Sequence, residues 1–150
     1  MNLSYLNTTF FIALIYFLAG NLSLAISPDN SIVTIVVFSA EGIALASAIL
    51  YGKRVWIAVL VGQFFLAYYN GMEWQPSLGI AIINSVEAIL AVIFFRKFRL
   101  NKNLSTFRDV FWLIIIILFI LQPFSALVGN SILVTFNMID PSEYLNSSFF

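Results

Sequence analysis

The chain contains no cysteine, no histidine and no basic residue before Lys53. Without cysteine, disulfides, iron–sulfur clusters and thiolate metal sites are excluded. Without histidine, Ser–His–Asp triads, imidazole proton relays and haem ligation through imidazole are excluded too. No catalytic residue, metal site or cofactor is expected. Charge of either sign is scarce, with seven positives and seven negatives making up 9% of 150 residues. Soluble domains run near 25% charged and about 45–50% apolar. Here 61% of residues are hydrophobic and the mean hydropathy is +0.99. A soluble domain of this length cannot hide that much apolar surface, so the composition specifies an integral membrane protein. Nucleic-acid binding lacks any basic surface beyond two short loops.

The apolar residues fall into five stretches, roughly 5–26, 32–51, 55–69, 77–95 and 110–136. Runs of about 16–25 apolar residues can cross a hydrocarbon core about 30 Å thick. The pattern predicts an all-α polytopic bundle of about five spans, the fifth interrupted by Pro123. Breakers separate the stretches: Ser27-Pro28-Asp29-Asn30, Gly52-Lys53-Arg54, and Asn70-Gly71 with Pro76 soon after. Residues 137–150 read as a non-spanning tail. The first stretch lacks the positive n-region of a cleavable signal peptide and is read as retained.

All seven basic residues sit in two places. Lys53 and Arg54 lie between the second and third stretches, and Arg96, Lys97, Arg99, Lys102 and Arg108 lie between the fourth and fifth. With two spans between them, both groups lie on one side, and short Lys/Arg-rich loops are held in the cytoplasm during insertion. The N-terminus is then cytoplasmic, while Asp29, Glu73, Asp140 and Glu143 lie outside. Trp56 and Trp112 fall at the inner boundary, and Tyr68, Tyr69 and Trp74 at the outer one.

Glu41 and Glu87 belong to no loop. Counted from the basic loops at 1.5 Å per residue, they lie roughly 18 Å and 14 Å from the cytoplasmic ends of two spans running in the same direction. A carboxylate near the midplane costs on the order of 3 kcal/mol or more. One reading is a proton-sensitive or ligand-binding polar core; the other is a pair of hydrogen-bonded carboxyls that hold helices together. Asn84 shares a helical face with Glu87 three residues on, Gln63 is central in the third span, and Gln122 precedes Pro123. For these amides interhelical hydrogen bonding alone is the simpler role. Ala40, Ala44 and Ala48, with Gly42 and Ala46 in an adjacent row, form a small-xxx-small contact pattern, repeated by Ser125 and Gly129.

The order of these features resembles a known family. Glu41-Gly42-Ile43-Ala44-Leu45-Ala46, Leu50-Tyr51-Gly52-Lys53-Arg54-Val55-Trp56, Gly62-Gln63 and Asn70-Gly71 are followed by Asn84-Ser85-Val86-Glu87-Ala88, Arg108-Asp109-Val110 and Gln122-Pro123-Phe124-Ser125. Together they resemble the bacterial membrane-associated sensor domain of the first type, over roughly residues 10–140. The chain departs from that pattern at Phe38-Ser39-Ala40-Glu41, where many members carry Trp-Pro, and at Ile57, where many carry Pro. The resemblance implies a single transmembrane sensor-type domain in the bacterial inner membrane, over 1–150 and incomplete at its C-terminal end. It also implies a cytoplasmic output module, a kinase or diguanylate cyclase, in the same longer protein or in a partner.

The expected partners are therefore the lipid bilayer, a small-molecule cue, a second copy in a homodimer and that output module. The alternative is a small transporter or proton-coupled channel using Glu41 and Glu87. A plain scaffold, with every polar group serving packing, is the third. None of the three makes the chain an enzyme.

Overall fold

The computed structural model describes residues 3–26 and 39–141, and every regular element within them is helical. The helices are α1 (Leu3–Ile26), α2 (Ser39–Tyr51), α3 (Trp56–Tyr69), α4 (Trp74–Lys97), α5 (Phe107–Ile116) and α6 (Gln122–Thr135). A 3₁₀ turn at Lys53–Val55 leads into α3, and a π turn at Ile117–Leu121 joins α5 to α6. Gly52, with φ of 81°, ends α2 in a conformation that side-chain-bearing residues rarely adopt. Helices are the expected answer to an apolar solvent, because each satisfies its own backbone hydrogen bonds. The outward surface confirms that solvent: Phe10, Leu18 and Phe119 are 64%, 57% and 70% exposed.

Within the bundle α3 packs between α1 and α4, α2 packs on α1 and α4, and α6 packs on α4. The small-residue row at Ala40, Ala44 and Ala48 is buried as expected, against Ile12, Ala13 and Tyr16 of α1 and Ala88 and Val92 of α4. Gly42 and Ala46 are exposed instead. A second close approach joins α1 to α3, where a Cβ on Gly62 would stand 3.0 Å from the Ala13 carbonyl oxygen.

Polar contacts fix which ends lie together. The Tyr5 hydroxyl donates to the Arg54 carbonyl over 3.0 Å, and Lys102 Nζ donates to the Leu50 carbonyl over 3.4 Å. Arg96 Nη2 would lie 3.5 Å from a Cβ on Gly52. Both basic stretches thus share one end with the start of α1. At the opposite end Asn70 Nδ2 donates to Asn21 Oδ1 over 3.1 Å, and Ser39 N–H to Ser23 Oγ over 3.2 Å. Trp112 stacks on Phe98 at the basic end, and Tyr69 meets Phe17 edge-on at the other.

The helices meet the expected stretches with shifted ends. Three of them are long and apolar enough to cross a membrane: Tyr5–Ile26, Trp74–Lys97 and the continuous helix Phe107–Thr135. The 14 residues of α3 reach about 21 Å, short of a 30 Å hydrocarbon core. The described part of α2 has 13 residues, and positions 32–38 of the expected second span, Asp29 and Glu143 lie outside the described residues. Pro123 does not interrupt the last helix, because the π turn before it keeps the chain helical from Phe107 to Thr135.

Candidate functional site

Among the described residues, Tyr16 of α1, Glu41 and Gly42 of α2, Asn84 and Glu87 of α4 and Gln122 of α6 line one cavity of about 250 Å³. The rest of its wall is apolar, from Ala44, Leu45, Ala88, Ala91, Ile117 and Leu121. Glu41 stands ten residues before the end of α2 at Tyr51, and Glu87 ten before the end of α4 at Lys97. At 1.5 Å per residue each is about 15 Å from the basic end, so helix register alone puts both carboxyls in one layer.

A hydrogen-bonded chain holds that layer. Gln122 Nε2 donates to Glu41 Oε2 over 2.9 Å, tying α6 to α2. The Ser125 hydroxyl bonds the Glu87 carboxyl, tying α6 to α4. Tyr16, wholly buried, donates its hydroxyl proton to Gln63 Oε1 over 2.8 Å and accepts a long bond, 3.4 Å, from Asn84 Nδ2. Both carboxyls also lie close enough to act on Tyr16 electrostatically. The neighbouring helices therefore meet through side chains that a hydrocarbon interior would otherwise leave unsatisfied.

The geometry of the last helix follows from Pro123. It lacks an N–H and its ring crowds the carbonyl four residues earlier. The chain answers with a wider turn in which the Gln122 N–H bonds the Ile117 carbonyl, five residues back. The turn brings Ile117 and Leu121 into the cavity wall and Gln122 onto Glu41. Such π turns are rare and frequently stand at functional sites.

Residues 7–149 match the sequence pattern of the MASE1 family. The chain belongs to the MASE1 family. MASE1 domains are membrane sensory domains rather than catalytic ones, and this chain is accordingly a membrane protein of sensory type. No curated protein and no solved structure matches it.

Four of the five polar residues singled out in the sequence, Glu41, Asn84, Glu87 and Gln122, line the MASE1 cavity. The fifth, Gln63, is buried behind it and reaches it through Tyr16. Tyr16 and Ser125 are the additions that the fold makes. A tyrosine at the centre of a phenylalanine-rich span is a legible signal, because a buried phenol needs a hydrogen-bond partner and phenylalanine does not. Ser125 stood out only in a small-residue repeat and at the end of the Gln122-Pro123-Phe124-Ser125 stretch. The basic residues take no part: Lys53 and Arg54 occupy the 3₁₀ turn, Arg96 and Lys97 end α4, Arg99 and Lys102 lie in the following loop, and Arg108 stands 3.5 Å from Asp109 at the start of α5. Among the described residues no group of three or more His, Cys, Asp or Glu stands together to hold a metal ion.

Proposed function

We propose that this MASE1 chain is the sensory input of a bacterial inner-membrane signalling protein and that the polar cavity receives the cue. In this reading the chain crosses five times with its N-terminus in the cytoplasm, and it relays the change to a cytoplasmic kinase or diguanylate cyclase. One observation carries it: Gln122, set by the π turn, clasps Glu41 across the cavity. A ligand that competes for Glu41 releases Gln122 and lets the π turn of the last helix rearrange. Differential binding to two helix arrangements is what a receptor requires.

Gln122→Leu tests this by removing the clasp without altering a charge. In the host, the output of the downstream module is expected to become independent of the cue at unchanged protein level. Wild-type output and cue response in that variant would overturn the proposal. Glu41→Gln keeps an acceptor for Gln122 and is expected to retain part of the response.

The transporter reading keeps one observation of its own, since a distorted helix beside intramembrane carboxyls is also a transporter feature. Proteoliposomes separate the two. A sensor leaves a pH gradient intact, whereas a carrier using Glu87 dissipates it and stops doing so as Glu87→Gln.

A further inference from the structure

We infer that the occupant of the cavity is a small organic cation, a primary ammonium group on a short apolar body; this rests on the reading of the cavity as the cue site. The argument begins with an inventory of donors and acceptors. Two carboxyls face the space, and a carboxylate offers about four lone-pair positions. The protein contacts described above use one amide donor on Glu41 and one hydroxyl on Glu87. Tyr16 has a single proton and commits it to Gln63, away from the cavity. Asn84 and Gln122 each spend one amide N–H, on Tyr16 and Glu41, and each keeps a second N–H and a carbonyl oxygen. No lysine or arginine lines the space, and the basic residues gather at the end of the bundle about 15 Å away.

Acceptor positions on the wall thus outnumber its free donors, and the wall carries two carboxyls and no basic group. Its complement is a group with several donors, positive charge and no lone pair, which describes an ammonium ion. An anion would meet two carboxyls with no cation to hold it. A bare metal ion would leave most of the space unfilled, and most of the wall surface is apolar, with Ala44, Leu45, Ala88, Ala91, Ile117 and Leu121 supplying methyl and methylene groups. At about 250 Å³ the cavity exceeds the roughly 150 Å³ that suffices for benzene, so an ammonium head and a ring or short chain fit together. Burying the carboxylates is costly unless they are paired, and the ligand supplies the pair.

The test uses the purified chain in nanodiscs, with phenethylammonium as the probe. Phenylacetate, 2-phenylethanol and sodium chloride serve as matched controls for charge sign, body and ionic strength. Phenethylammonium alone is expected to raise the melting temperature, saturably. Glu87→Gln is expected to weaken the apparent affinity at least tenfold. Gly42→Leu guards against a variant that misfolds. Gly42 borders the cavity and a Cβ there meets nothing within 4 Å, so a larger side chain is accommodated at the cavity's edge with both carboxyls intact, and it is expected to weaken the shift. Equal shifts with the alcohol or the anion, or full binding by folded Gly42→Leu, would overturn the inference. If no amine binds while Gln122→Leu still uncouples output from the cue, the ammonium assignment fails and the sensory reading stands. If amines bind specifically and output ignores them, the site is confirmed and its sensory role is lost.

Discussion

At the scale of single residues, the site depends on atoms rather than on charge alone. Tyr16→Phe keeps the ring and removes one oxygen, leaving Gln63 without its donor and Asn84 without its acceptor. Within membranes such bonds contribute modestly, so a loss of about 0.5–1.5 kcal/mol is expected, read as a lowered unfolding midpoint in detergent titrated with SDS. Two glycines should respond in opposite directions to the same change. Gly62→Ala places a methyl 3.0 Å from the Ala13 carbonyl oxygen and 3.1 Å from the Tyr16 ring. The carbonyl cannot yield, α1 and α3 must part, and a cost of about 1–3 kcal/mol follows. Gly42→Ala meets open space within a helix and is expected to stabilise by up to about 1 kcal/mol through helix propensity. A matching sign for the two variants in the same titration would contradict the packing described here.

At the scale of elements, the last helix is the one whose regularity the sequence misstates. A proline just past the middle of a 29-residue span predicts an interruption, yet Phe107–Thr135 stays helical because the π turn absorbs the missing donor. The consequence is a local weakness rather than a break. Pro123→Ala supplies an N–H that can pair with the Phe119 carbonyl, and amide exchange across 119–123 is expected to slow several-fold, since one hydrogen bond contributes about 1 kcal/mol. Hydrogen-exchange mass spectrometry on nanodisc samples checks this. Unchanged or faster exchange would mean that the turn is held by its neighbours and not by the proline. The small-residue row divides the same way. Ala40, Ala44 and Ala48 pack as the spacing demands, but Gly42 and Ala46, one helical face away, do not. Spacing says that a face can be close-packed and does not say which face meets a neighbour.

At the scale of the whole molecule, the absence of cysteine makes topology directly measurable. Arg54→Cys, Glu73→Cys and Lys102→Cys each give a single thiol in an otherwise thiol-free chain. In intact cells with a permeabilised outer membrane, an impermeant maleimide is expected to label only position 73; positions 54 and 102 should react after lysis. Labelling of 54 and 73 from the same side would show that α3, at 14 residues, does not cross. The membrane class, the helical fold and the shared end of the two basic loops were all legible in the sequence, because they follow from composition and from span parity, which are additive along the chain. The matched depth of Glu41 and Glu87 was legible too, since helical rise converts residue number into height. Azimuth was not. Whether a side chain at a given height faces lipid, a neighbour or a shared space depends on how each helix is rotated against the others, and that is a property of packing. Only the tertiary structure therefore decided that Glu41, Glu87, Asn84 and Gln122 line one cavity, that Gln63 stands behind it, that Tyr16 joins its wall, and that Ser125 meets Glu87 from α6.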